Sequence, residues 1–220
     1  MLRKLKDPVS GLTHIIGALL SVAALVFLVY EAATKATVWH VVSFAIYGVS
    51  LILLYTASAL YHSLNLSKRA NEIFRQLDHA MIYVLIAGTY TPMCLVALRG
   101  GWGWSLFGIN WALAITGVVL KLAFRNPARW LTVILFTFYI LMGWLIVVAF
   151  FPLMHVLPTG GIFWLVAGGI FYTAGTLFLN TKLRVIIPNV LGPHEIWHLF
   201  VLAGSFCHFW MMWRYVLYLN

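Results

Sequence analysis

The sequence has few charged residues: only 9% of its 220 residues are Asp, Glu, Lys or Arg, and only five are acidic. Hydrophobic residues make up 63% of the chain, and the mean hydropathy is +0.97. A water-soluble domain of this size would need far more polar surface than this composition provides. The composition therefore excludes a soluble globular protein and predicts one that crosses the membrane several times.

Long polar segments are also missing, which leaves no room for a soluble domain. Crossing the hydrocarbon region of a bilayer takes about 20 apolar residues per helix. Seven such runs fill most of the chain, at about 12–31, 40–64, 79–98, 104–123, 130–151, 161–180 and 194–217. The predicted fold class is an all-α membrane protein, organised as a single seven-helix transmembrane domain over residues 1–220.

Acidic residues are scarce relative to basic ones, and the net charge is +9. With seven spans, eleven basic residues fall on the side of the N-terminus: Arg3, Lys4, Lys6, Lys68, Arg69, Arg75, Lys121, Arg125, Arg129, Lys182 and Arg184. The three on the opposite side are Lys35, Arg99 and Arg214. Basic residues favour cytoplasmic loops, which predicts a cytoplasmic N-terminus and an external C-terminus. The positive charge thus indicates topology and attraction to anionic lipids, and no nucleic-acid partner is expected.

Cysteine is rare, and lysine is missing from the last span. Cys94 and Cys207 lie within predicted helices, where we expect both to pack as small hydrophobic residues. The seventh span contains no lysine, which excludes a retinal protein. The predicted orientation is also the reverse of that of a G-protein-coupled receptor.

Ionisable side chains within the spans concentrate at one end of three helices. Ser58 and His62 are four residues apart near the end of the second span, and Asp78 lies at the start of the third. His194 and His198 are four residues apart at the start of the seventh span, so both lie on one helix face. Because polar groups inside a bilayer are costly, a set gathered at one membrane depth is a candidate functional site.

Three neutral imidazoles with a nearby carboxylate are typical of a zinc site, so we expect Zn²⁺ to be bound by His62, His194 and His198. Asp78 and Ser58 are the candidates to orient ligands or to act in catalysis. Structural alternatives exist for single members, since a carboxylate is also favoured at a helix start and a serine can bond to its own helix. His14 lies at the same end but has no partner at helical spacing.

Four stretches carry a resemblance to a known family: "SALYHSL" (58–64), "LDHAMIYVLIAGTYTP" (77–92), "MGWL" (142–145) and "HEIWHLFVLAGSFCHF" (194–209). They resemble the progestin and adipoQ receptor family and its bacterial haemolysin III branch. The resemblance implies seven helices with a cytoplasmic N-terminus, and zinc held near that side by His62, His194 and His198. It also implies that Asp78 reaches the zinc through water, with Ser58 one turn before His62.

Three functions are open at this point. The resemblance implies a relation to alkaline ceramidases, and hence a zinc-dependent intramembrane hydrolase of a lipid amide or ester, with Asp78 and Ser58 as catalytic residues. The alternative is a non-enzymatic membrane-homeostasis or sensor protein with a structural zinc. A pore-forming cytolysin is the least favoured. In each case the predicted location is the bacterial inner membrane, with membrane lipids as partners.

Overall fold

The computed structural model describes residues 6–124, 127–179, 187 and 191–219, and nearly all of these are helical. Seven helices are long and apolar enough to cross a membrane: α1 (Pro8–Lys35), α2 (Val38–Ser63), α3 (Lys68–Ala97), α4 (Gly101–Ala123), α5 (Arg129–Val156), α6 (Thr159–Leu179) and α7 (Pro193–Tyr218). Within the described ranges there is no β-strand, only an isolated bridge between Ile187 and Leu191. The predicted all-α, seven-helix fold class is confirmed.

Three of the seven helices change helical type along their length. In α3, Pro92 ends the α-helical part and a π-helical turn follows over Met93–Ala97. In α5, a 3-10 stretch over Leu145–Ala149 separates two α-helical parts, and α7 ends in a 3-10 turn over Val216–Tyr218. Proline lacks the N–H that would continue the α-helical hydrogen bonds, which accounts for the change of type after Pro92.

The outer surface of the bundle is made of large apolar side chains. Leu19 on α1, Phe151 on α5 and Phe163 on α6 are each more than half exposed. Such a surface would aggregate in water but is stable against lipid tails, because all backbone hydrogen bonds are satisfied within the helices. α3 is the most buried of the seven helices and forms the centre of the bundle.

Helix packing brings three helix ends together on the N-terminal side of the bundle. Consecutive helices pack on one another from α1 to α4, and α6 packs along α7. α1 also contacts α7, so the beginning of α1 lies between the end of α2 and the beginning of α7. This arrangement decides which polar side chains can meet.

The basic residues of the described chain follow the predicted asymmetry. Those at helix ends on the N-terminal side are Lys6, Lys68, Arg69, Arg75, Lys121 and Arg129, and those at the opposite ends are Lys35, Arg99 and Arg214. Five more of the counted residues lie outside the described residues: Arg3, Lys4, Arg125, Lys182 and Arg184. A cytoplasmic location of the N-terminal side stays a prediction from this distribution.

α3 begins about three turns before its apolar run. It starts at Lys68, with the Ser67 hydroxyl accepting a hydrogen bond from the Ala70 N–H as an N-cap. The first turns of α3 are polar, so a prediction from the apolar run alone puts the start of the helix near residue 79. Asp78 therefore lies well inside the helix, about 15 Å from its first residue. Stabilisation by the helix macrodipole, which acts only over the first turn, cannot account for this buried carboxylate.

A group of hydroxyls, here called the hydroxyl cluster, lies deeper in the bundle and consists of Tyr47, Tyr55, Tyr172 and Ser205. The Tyr55 hydroxyl donates to Ser205 Oγ over 2.7 Å, and the Tyr172 hydroxyl shares a hydrogen bond with the same Oγ over 2.9 Å. Tyr47 donates to the Ser205 carbonyl over 3.3 Å. The cluster therefore ties α2 and α6 to α7 through direct hydrogen bonds.

Candidate metal centre

The histidines expected to bind metal lie at two helix ends that the fold brings together. His62 is in the last turn of α2, one residue before the helix ends at Ser63. α7 begins at Pro193, where proline is tolerated, and Glu195 accepts a hydrogen bond from the Gly192 N–H over 2.9 Å. This capping fixes the first turns of α7, and the four-residue spacing then turns His194 and His198 toward one side.

The three imidazoles, here called the histidine cluster, converge on one point. The Nε2 atoms of His194 and His62 are 3.2 Å apart, and those of His198 and His194 are 3.1 Å apart. One ligand atom from each histidine lies within 4.8 Å of the other two. Tetrahedral ligands about 2.0–2.1 Å from a metal lie roughly 3.3–3.4 Å from one another, so a small adjustment would place an ion between them. The histidine cluster could therefore hold a metal ion.

Burial separates the three histidines from ordinary surface residues. His198 is fully buried, His62 is 3% exposed, and His194 is partly buried. A neutral imidazole has one N–H donor and one nitrogen with a lone pair. Three such rings that face one another therefore cannot give every ring nitrogen a hydrogen-bond partner. A metal ion would accept all three lone pairs at once.

Asp78 and Ser58 lie beside the histidine cluster. Asp78 is 5% exposed and interacts electrostatically with Ser58 and His62. The Ser58 hydroxyl is buried and close to the Asp78 carboxylate, yet forms no hydrogen bond of good geometry with the described residues. The structure thus brings together all five residues singled out by the sequence, while their roles as ligands and catalysts stay predictions.

Asp7 is a site residue that the sequence did not indicate. Its carboxylate oxygen Oδ2 lies 2.9 Å from His62 Nδ1, the ring nitrogen that faces away from the cluster. A carboxylate on the outer nitrogen of a metal-binding histidine is a frequent arrangement in metal sites. Asp7 precedes the first apolar run and has no spacing relation to His62, so no sequence pattern could have linked the two.

His14 is a second residue whose contact with the histidine cluster the sequence did not indicate. Its ring stacks on that of His198, with ring centroids 3.7 Å apart and planes 11° from parallel. Both of its nitrogens are buried, and the His198 backbone is its polar neighbour. The sequence offered no histidine partner at helical spacing from His14, and the contact with His198 arises only from the packing of α1 on α7.

An apolar cavity of about 250 Å³ adjoins this site. His14 and Asp78 contribute to its lining at the end near the histidine cluster. Most of the remaining lining is apolar and comes from α3, α5, α6 and α7, including Leu85, Met93 and Val147. The candidate metal centre therefore lies beside a space suited to an apolar group, with His14 and Asp78 between them.

Comparison with known proteins decides the family. Residues 2–209 match the family model described as Haemolysin-III related. The chain belongs to this family. Hemolysin-3 of Bacillus cereus is 44% identical over 209 residues, which cover 94% of this chain and 90% of the relative. The Hemolysin-3 homolog of Bacillus subtilis (strain 168) is 45% identical over 197 residues, covering 89% and 87% respectively.

A more distant relative of this haemolysin-III related chain is found in animals. The human monocyte to macrophage differentiation factor is 28% identical over 185 residues, which cover 81% of this chain and 72% of the relative. These matches confirm the resemblance stated from the sequence motifs. The haemolysin-III related protein is a multi-pass membrane protein whose histidine cluster could hold a metal ion.

Proposed function

We propose that this haemolysin-III related protein is a zinc-dependent intramembrane hydrolase of a lipid amide or ester. One observation carries the proposal: Asp78 lies beside the histidine cluster and also lines the apolar cavity of about 250 Å³. A polar site joined to an apolar cavity suits an amphiphilic substrate. The acyl chain would fill the cavity while the scissile carbonyl stays at the histidines.

Zinc is the metal that the three donors favour. Neutral imidazole is a common zinc ligand, and three protein ligands leave one tetrahedral position for water or substrate. Imidazole sites also accept other first-row divalent ions, so the identity of the metal is part of the proposal. When bound, zinc acts as a Lewis acid on a carbonyl and makes water nucleophilic at neutral pH.

Asp78 is the candidate general base. Its buried carboxylate can take a proton from the attacking water and return it to the leaving group. The Ser58 hydroxyl lies close to Asp78 without a hydrogen bond of good geometry among the described residues. A small rotation of its side chain would let it donate to the negative charge that develops on the carbonyl oxygen.

A non-enzymatic role is the second candidate, with the same zinc serving as a structural link. His62 and His194 are 132 residues apart in sequence and come from different helices. A metal held between them would join α2 to α7 and stabilise the bundle of a membrane-homeostasis or sensor protein. In that case the metal would raise stability and no substrate would be consumed.

Cytolysis is the third candidate because the relative from Bacillus cereus carries the name Hemolysin-3. A pore needs a polar path across the bilayer. In the described part of the chain, Asp78 and the histidine cluster lie together at one end of the bundle instead of along such a path. Residence in the bacterial inner membrane, among membrane lipids, fits the apolar outer surface better than secretion.

Metal content and hydrolysis measured on the same detergent-purified sample would separate these candidates. The panel would include ceramides and other N-acyl lipids, with Asp78→Asn as the catalytic variant. Turnover that follows zinc content and is lost in Asp78→Asn would support the hydrolase. Zinc with no turnover across the panel would contradict it and favour the structural link. Dye release from lipid vesicles by the protein would support the cytolysin.

A further inference from the structure

Asp7 binds His62 through both its side chain and its backbone. The carboxylate oxygen Oδ2 lies 2.9 Å from His62 Nδ1, and the Asp7 backbone N–H donates to the His62 carbonyl over 2.9 Å. Two contacts to one residue fix the position of the carboxylate relative to the imidazole ring. His62 is nearly buried, while the Asp7 side chain is 40% exposed, so the carboxylate stays partly in solvent and its desolvation cost is limited.

The segment that carries Asp7 is docked on the end of α2 by its neighbours. The Lys6 ammonium lies over the Tyr61 ring, 3.6 Å from the ring centroid. One turn later in α1, a Cβ added at Gly11 would lie 2.6 Å from Ser63 Oγ, so a side chain there would require a displacement. Glycine at this position lets the first turns of α1 lie directly against the end of α2.

The contact with Asp7 also determines which nitrogen of His62 is available to a metal. A carboxylate accepts hydrogen bonds, so Nδ1 carries the proton and donates to Asp7. The lone pair of the neutral ring is then on Nε2, the atom that lies 3.2 Å from His194 Nε2. A hydrogen bond on the outer nitrogen also fixes the orientation of a metal-binding imidazole ring.

His62 differs in this respect from His198, whose polar neighbour outside the histidine cluster is the Ser10 backbone and not a carboxylate. We propose that Asp7 is a positioning residue of the metal centre, which holds His62 in the tautomer and orientation that bind the metal. This inference rests on the proposed metal-binding function. The N-cap residue of α1 would accordingly be part of the metal site, although it supplies no ligand.

The test is a zinc affinity measurement by competition with a chromogenic chelator, using full-length protein in detergent. The variants are Asp7→Ala, Asp7→Asn and His62→Ala. Glu72→Gln is the matched control, because Glu72 lies near the start of α3 on the same side of the bundle and pairs with Arg75. It removes an equal charge without touching a histidine. Thermal unfolding of the metal-free proteins serves as the control for folding.

We expect Asp7→Ala to weaken zinc binding by about 10- to 100-fold, as for other outer-shell partners of metal ligands. Asp7→Asn keeps an acceptor oxygen but loses the charge, so its affinity should lie between those of wild type and Asp7→Ala. His62→Ala should bind more weakly than either. With cobalt(II) in place of zinc, the visible absorption should change in Asp7→Ala and stay the same in Glu72→Gln.

Two outcomes would overturn the inference in different ways. If wild type binds zinc and Asp7→Ala binds it equally well, Asp7 is not a positioning residue, and the metal site itself stands. If wild type binds neither zinc nor cobalt(II), the proposed function fails, and this inference fails with it. If Glu72→Gln weakens binding as much as Asp7→Ala does, the effect is one of surface charge, and the positioning role is refuted.

Discussion

The histidine cluster and the hydroxyl cluster are both buried groups of polar side chains that join distant helices, yet their hydrogen bonding differs. In the hydroxyl cluster, each hydroxyl bonds to another group of the protein, with Tyr55 and Tyr172 sharing the Ser205 oxygen. In the histidine cluster, the Nε2 atoms of His62, His194 and His198 face one another at 3.1–3.2 Å, an arrangement in which three neutral rings cannot satisfy every lone pair.

This difference distinguishes a cluster that stabilises the fold from a cluster that is a candidate functional site. A buried polar group without a partner costs about 1–3 kcal/mol, so a set of such groups in one place is not maintained by packing alone. The hydroxyl cluster is complete without any ligand. The histidine cluster becomes complete only when a metal ion accepts the lone pairs of its three facing Nε2 atoms.

Replacing His194 by alanine should remove metal binding almost entirely. His194 Nε2 lies close to both His62 and His198, so its loss leaves two nitrogens that no longer surround an ion. Elemental analysis of purified protein should show about one zinc ion per chain in wild type and close to none in the variant. Retention of zinc by His194→Ala would show that the ion binds elsewhere.

Asp78→Asn should keep the metal but lower lipid-amide hydrolysis by about 10²- to 10⁴-fold, the usual contribution of a general base. The amide retains the size of the carboxylate but cannot accept a proton from water. Initial rates on zinc-loaded samples of equal metal content would measure the effect. Unchanged turnover in the variant would rule out a proton-transfer role for Asp78.

Metal removal should destabilise the wild-type protein and leave His194→Ala unaffected. Free zinc at about 100 times its Kd should raise the free energy of unfolding by about 2.7 kcal/mol, because the ion binds only the folded bundle. Thermal unfolding with added zinc and with added chelator would measure the shift. An equal shift in His194→Ala would contradict binding at the histidine cluster.

Tyr55→Phe should have the smallest effect, a loss of about 0.6 kcal/mol in the free energy of unfolding. The change removes the hydroxyl that donates to Ser205 over 2.7 Å but keeps the ring, whose edge packs against His14. Unfolding in SDS would measure stability, and elemental analysis should show an unchanged zinc content. Loss of zinc in this variant would remove the distinction between the two clusters.

Much of the candidate site can be predicted from the sequence, because helical spacing and the direction of each span show where its residues lie. The four-residue spacing puts His194 and His198 on one face of α7, and the alternating direction of the spans brings His62 to the same end. The sequence puts Asp78 at the start of the third span, near the histidines. In the structure α3 begins at Lys68, so the carboxylate lies well inside the helix. The apolar run shows where a helix crosses lipid, but hydropathy does not detect the polar helical turns that precede it.

The seven-helix fold class can be predicted from the sequence alone, because apolar length is a local property of each segment. The sequence also determines which ends of the helices carry ionisable groups. Three contacts come from the packing of the helices: Asp7 bonds to His62, His14 stacks on His198, and Asp78 lines the cavity. Each of these contacts depends on how α1 and α3 pack against α2 and α7. The residue pattern within one helix does not predict which helices pack against it.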